Sequence, residues 1–113
     1  MRDGLLTSGR TLPLAAYVAA IEAAEMFRAR LDDVFTEFDV LLAPSAVGEA
    51  PRGLESTGDA RFNALWTLAW TPCLTLRAGT GHTGLPLGVQ LVGRRFADEA
   101  LLDAAAWVEA RLG

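Results

Sequence analysis

The stretch GLPLGVQLVG, Gly84 to Gly93, constrains the fold of this chain more than any other. In an extended chain, Leu85, Leu87, Val89 and Leu91 fall on one face, and Gly88, Gln90 and Val92 on the other. Apolar residues on both faces predict a strand covered on both sides. Gln90 then lies inside, where a carboxamide has up to four hydrogen bonds to satisfy and each group left bare costs roughly 1 to 3 kcal/mol. It is expected to clamp a neighbouring loop. Upstream, CLTLRAG from Cys73 to Gly79 predicts a second short strand, and the intervening TGHTG predicts a turn. The two strands should form an antiparallel hairpin.

The remaining elements can be placed around this hairpin. Residues 1 to 12 read as a polar lead-in, with Pro13 suited to a first helical turn. From Leu14 to about Phe38 there is no Gly or Pro, and Tyr17, Ile21, Ala24, Phe27, Leu31, Val34, Phe35 and Phe38 recur at spacings of three and four. This predicts a long helix laid on a sheet by one face. Arg28 falls within that stripe and reads as a snorkelling arginine at the helix edge, with a buried ion pair as the alternative. FDVLLAP, Phe38 to Pro44, predicts a buried strand closed by proline. Ser45 to Arg61 shifts to Gly, Pro, Glu, Ser and Thr, a long loop of the kind that is either functional or disordered.

Phe62 to Thr71 predicts a short helix that Pro72 ends, with Phe62, Leu65, Trp66 and Ala69 inward. Its two tryptophans read as core packing, against the alternative of lining a ligand pocket. A terminal helix follows, with Asp98 as N-cap, Glu99 and Arg111 matched to the dipole, Gly113 as closure, and Leu101, Ala105, Val108 and Leu112 buried. Trp107 falls off that stripe. The order of elements predicts a single α/β domain over residues 1 to 113, with helices against a small mixed sheet.

Composition removes several classes of function. A net charge of -4 and a pI near 4.8 argue against nucleic acid and against an anionic membrane surface. No run approaches the 18 or so apolar residues of a span, and the first residues lack a signal-peptide core, so a cytoplasmic setting is expected. The single cysteine, Cys73, reads as a small buried hydrophobe, and with His82 alone it makes no zinc site. Neither a metal cluster nor a GxGxxG string is present, so no cofactor is expected.

The serines are Ser8, Ser45 and Ser56, none in a G-x-S-x-G elbow. His82, the only imidazole, reads as a surface turn residue. The carboxylates are scattered; Asp32 with Asp33, and Asp98 with Glu99, read as solvated helix positions. All ten basic residues are arginine, so the chain has no lysine base.

Together, FDVLLAPSAVGEAP, TGDARFNALWTLAWTPCLTLRAG and GLPLGVQLVGRRFADEALLDAAAWVE resemble the C-terminal third of the amidase-signature enzymes, over about Leu14 to Glu109. The resemblance implies the C-terminal portion of a hydrolase of carboxylic amides, in a fold whose large mixed sheet is flanked by helices. That family's nucleophilic serine, its second serine preceded by a cis peptide bond, its lysine base and its Gly/Ser-rich signature all lie upstream of the matched region. This chain has no Ser-Ser pair, no signature and no lysine, so no catalytic residue is assigned and the chain is expected to be inactive alone.

In the family, the segment from the long loop into the short helix closes one wall of the substrate cavity. That position implies Asn63, Trp66 and Thr67 as substrate-binding residues, beside the alternative that they only pack the helix onto the sheet. Where Trp70 and Arg77 stand the family often has glycine and proline, and a bulky Trp70 is expected to narrow the space at that turn. Implied partners are a complementing N-terminal amidase segment and, once completed, a small amide. The other reading is a non-enzymatic binding or oligomerising module. A thin core also predicts a homo-oligomer, most simply a twofold dimer.

Overall fold

The computed structural model describes residues 11–112 together with Gly9. Most of the expected lead-in, and the closure at Gly113, lie outside the described residues. Among these there are three helices and one three-stranded sheet: α1 (Leu14–Val34), β1 (Leu41–Pro44), α2 (Arg61–Ala69), β2 (Cys73–Thr80), β3 (Pro86–Val92) and α3 (Asp98–Leu112).

β3 is the middle strand, in the order β1-β3-β2. Its alternation sends Val92 into a core with Leu31 and Phe35 of the α1 end and Ala69 of α2. Leu91 enters a second core on the opposite face, with Leu76 of β2 and Leu101 and Ala105 of α3. Both Leu91 and Val92 are fully buried. The strand is therefore covered on both sides, as its two apolar faces require. A Cβ on Gly93 would lie 3.0 Å from Leu101 Cβ, so this glycine lets α3 close onto the sheet.

The hairpin forms as expected, with Cys73 opposite Val92 and Thr80 opposite Pro86. A bulge between Arg77 and Gly79 shifts the register once. At the turn, the Gly81 amide donates to the Leu85 carbonyl at 2.8 Å, and Gly84 takes the left-handed φ of +87° that glycine tolerates best. The expected mixed sheet is corrected in one respect: all pairings among the described residues are antiparallel. β1 and β2 do run in the same direction, as a helical crossover through α2 implies. They are not neighbours, because β3 inserts between them, leaving a split β-α-β unit.

α1 starts at Pro13, whose carbonyl accepts from the amides of Ala16 and Tyr17. It stops at Val34 rather than Phe38: residues 35–37 form a tight turn, with the Thr36 hydroxyl donating to the Asp33 carbonyl at 2.6 Å. β1 accordingly begins at Leu41. Only the C-terminal half of the predicted stripe is buried, through Ala24, Arg28 and Leu31. On the same face one turn earlier, Leu14, Tyr17, Val18 and Ile21 are exposed. The shape reflects this, since the radius of gyration is 16.9 Å where a compact chain of this length has about 13 Å.

Arg28 is buried rather than snorkelling, so that expectation is corrected. Its Nε donates to the Leu68 carbonyl at 2.9 Å, one of the acceptors that the end of α2 leaves without a helical partner. Its Nη1 pairs with Glu25 at 2.8 Å. Its guanidinium lies 3.7 Å from the centre of the Trp70 ring. α2 ends in a Schellman pattern, with the Trp70 amide donating to the Thr67 carbonyl and the Thr71 amide to the Trp66 carbonyl. Trp70 occupies the left-handed position of this motif at φ 60°.

A side chain there costs about 1 kcal/mol relative to glycine, and the stack on Arg28 returns roughly 0.5 to 2 kcal/mol. Trp70→Ala keeps the strain and loses the stack, whereas Trp70→Gly loses the stack and sheds the strain. The glycine variant is expected to be the more stable of the two by about 1 kcal/mol in urea unfolding. Equal midpoints would show that the left-handed cap does not form in solution.

Candidate functional site

An open cleft of about 570 Å³ lies between the loop after β1, the start of α2 and the β3 end of the hairpin. Ser45, Glu49, Asp59, Asn63 and Gly88 are among the residues that line it. The long loop is fastened rather than free. One Glu49 oxygen, Oε1, accepts from the amides of Thr83 at 2.9 Å and Leu85 at 3.0 Å. Gly81 makes this reach possible, because a Cβ there would overlap the Glu49 side chain. Desolvation pushes the Glu49 carboxyl up, but hydrogen bonds from the Thr83 side chain and the Leu85 and Thr83 amides outweigh it, and the carboxyl lies below its ordinary value.

The opposite wall is built from β3. Gly88 is needed there, since a Cβ would stand 2.5 Å from Ser45 Oγ and 2.6 Å from Thr75 Cγ2. Two residues on, Gln90 is buried, and its Nε2 donates to Asn63 Oδ1 at 2.8 Å. The Asn63 Nδ2 faces the Ser45 carbonyl at 3.4 Å. Gln90 thus ties α2 to the strand, and through Asn63 it reaches the loop. Its own Oε1 is buried with no hydrogen-bond partner.

The three substrate-binding candidates do not form one surface. Asn63 is exposed and lines the cleft. Trp66 is half-buried and packs against the core of Leu31, Phe35, Ala69 and Val92. Thr67 is exposed outside the cleft lining, and its hydroxyl donates to the Asn63 carbonyl at 3.0 Å. Trp70 does not narrow the cleft; it turns away onto Arg28. Of Trp66 and Trp70, only Trp66 therefore packs against the core.

Two further expectations are corrected. Cys73 is exposed, not buried, because it opens β2 at the edge of the sheet. Partial desolvation pushes its thiol up, against a hydrogen bond to the Thr71 carbonyl. Asp32 is not merely solvated, since it pairs with Arg95 at the start of the β3-to-α3 connection. The hydrogen bond from Arg95 holds its carboxyl below the ordinary value against desolvation. The stability this pair contributes is present above the ordinary carboxylate range and is lost as pH falls through the lowered value. His82 is exposed in the hairpin turn, as expected.

Chemically, the cleft offers hydrogen-bond donors and carboxylates but no assembled nucleophile. Among the described residues no imidazole or carboxylate hydrogen-bonds the Ser45 hydroxyl, and no three His, Cys, Asp or Glu side chains gather as metal ligands. No helix among them is long and apolar enough to cross a membrane.

The model of the Amidase family matches residues 6–102. This chain belongs to that family. Among its relatives is a glutamyl-tRNA(Gln) amidotransferase subunit from Wolinella succinogenes, 33% identical over 106 residues, a match covering 88% of this chain and 23% of the relative. A crystal structure of an amidase superposes with a TM-score of 0.76 at 29% identity, covering 96% of this chain and 27% of the other. The crystal structure of the corresponding amidotransferase subunit from Thermotoga maritima superposes with a TM-score of 0.66 at 27% identity, covering 88% and 24%. The amidase segment therefore spans about a quarter of the length of these relatives.

Proposed function

We propose that this chain is the C-terminal portion of a hydrolase of carboxylic amides, working in the cytoplasm as one segment of an amidase-like domain. It has no catalysis of its own. It supplies a wall of the substrate cavity, with Asn63 facing the substrate and Trp66 and Thr67 holding that stretch of α2 in place. A complementing segment brings the serines and the lysine. The observation that carries this reading is the half-covered stripe of α1. Leu14, Tyr17, Val18 and Ile21 continue the face that Ala24, Arg28 and Leu31 bury, yet they lie bare. An apolar stripe of this kind marks a surface that another part of the fold covers.

The reading frame upstream of Met1 tests it. A frame carrying a Gly/Ser-rich signature with its serines and a lysine supports the proposal, and a stop codon with no such frame nearby contradicts it. The same bare stripe, with the outer edges of β1 and β2 unpaired among the described residues, favours a second reading in which another copy covers them. Sedimentation is then expected to show a dimer, and a monomer at high concentration with little binding of a hydrophobic dye rules that reading out.

A further inference from the structure

The hairpin turn from Gly81 to Leu85 closes on itself before anything binds to it. The Gly81 amide donates to the Leu85 carbonyl at 2.8 Å, and the Gly84 amide to the Gly81 carbonyl at 3.2 Å. The amides of Thr83 and Leu85 take no part in this closure. Both converge instead on Oε1 of Glu49, at 2.9 and 3.0 Å, and the Thr83 amide also lies 3.2 Å from Oε2. Backbone N–H groups that converge in this way form a nest for an anion. Among the described residues no arginine pairs with Glu49, so its charge is held by the turn and not by a cation. Gly84 takes a left-handed φ and Gly81 does not. The turn therefore needs Gly81 for room, since a Cβ there would overlap the Glu49 side chain.

Residues 46–58 have little else to hold them. Among the described residues, Glu49 makes the one hydrogen-bonded link from this stretch to another element. The Gly58 amide bonds within the loop, to Ser56 Oγ, and Leu54 is fully exposed. We propose that the hairpin turn is a preformed binding site for a carboxylate, that Glu49 fills it from within the chain, and that this filling straps the loop after β1 to the hairpin. The donors set the ligand class. Convergent N–H groups offer bonds only to an acceptor, and an ionised acceptor makes each of them roughly twice as strong as a neutral one does. The lowered carboxyl of Glu49 agrees, because these donors favour its charged form. The carboxylate site stands whatever the cleft receives; only the bearing of the strap on the cleft rests on reading the cleft as a substrate wall.

The test follows the full chain, labelled with ¹⁵N, by NMR at neutral pH and constant ionic strength in sodium chloride, with formate as the probe. Glu49→Ala empties the turn. The Thr83 and Leu85 amides are then expected to exchange with solvent about tenfold faster, and the signals of residues 46–58 to move, while those of Leu91 and Val92 keep their native positions. Formate is expected to return the Thr83 and Leu85 signals saturably toward their wild-type positions and to slow their exchange. The loop stays loose, because formate is not joined to it. In the wild-type chain the tethered Glu49 already fills the site at high effective concentration, so the same titration is expected to leave these amides unmoved. Gly81→Ala, with Glu49 intact, removes the room and is expected to free the loop as Glu49→Ala does. Should Glu49→Ala fail to fold, Glu49→Gln keeps the bulk without the charge, and the two amides are again expected to exchange about tenfold faster. No saturable response to formate in folded Glu49→Ala, an equal response in the wild-type chain, unmoved loop signals in the alanine variants, or unchanged exchange in Glu49→Gln overturns the proposal. None of these readouts involves turnover or the upstream frame, so this proposal and the amidase reading fail separately.

Discussion

Leu91→Ala is expected to cost about 2 to 5 kcal/mol, enough to abolish cooperative unfolding of the isolated chain. Leu91 is fully buried in the core between the sheet and α3, packed with Leu76, Leu101 and Ala105. Truncating it removes apolar burial and leaves a cavity that the two-sided sheet cannot collapse to fill. The core is thin to begin with, since Leu14, Tyr17, Val18 and Ile21 of α1 lie exposed. Leu54→Ala is the control, because Leu54 is fully exposed in the cleft loop, and its midpoint should move by less than about 0.5 kcal/mol. Urea unfolding followed by circular dichroism reads both. A Leu91→Ala midpoint as close to wild type as that of Leu54→Ala would mean that α3 does not dock on the sheet as described.

The strand at the centre of the sheet was legible because its pattern is local. Alternation over Gly84 to Gly93 assigns both faces of β3 whatever lies on them, and Leu91 and Val92 entered opposite cores accordingly. The stripe of α1 was legible as a stripe but not in its extent of burial. Periodicity says which residues share a face, while burial depends on a neighbour, and α2 reaches only the C-terminal half. The same limit hid the role of Arg28, whose partners Leu68 and Trp70 are some forty residues away in sequence.

The candidate site was less legible. Gln90 announced itself as a buried amide, but its partner Asn63 and the Ser45 carbonyl beyond it come from separate elements. The Glu49 latch joins a loop to a turn more than thirty residues on, and its one local sign was Gly81 in a glycine-rich turn, which the turn alone already accounted for. Cys73 was misplaced because a short strand's first residue reads as apolar in sequence while lying at a sheet edge. Trp70 carried a usable signal: a bulky residue where a helix ends and glycine is common points to a left-handed cap with some compensating contact.

The central claim is that this amidase segment carries a wall of the cavity but no catalytic apparatus. Acyl transfer needs an activated nucleophile, a base within roughly 2.6 to 3.2 Å of it, and donors for the oxyanion. The resemblance assigns the first two to serines and a lysine. The sequence has no lysine, so neither rearrangement nor pairing of identical chains can supply that base. Its one imidazole, His82, sits exposed in the hairpin turn, with no hydrogen bond to Ser45. The most direct measurement is treatment of the purified chain with a fluorophosphonate probe, alongside turnover of a panel of aryl amides and esters. The expected result is no covalent labelling and no turnover above buffer. Labelling of a serine, lost when that serine is changed to alanine and accompanied by turnover, would contradict the claim and make His82 the first base to examine.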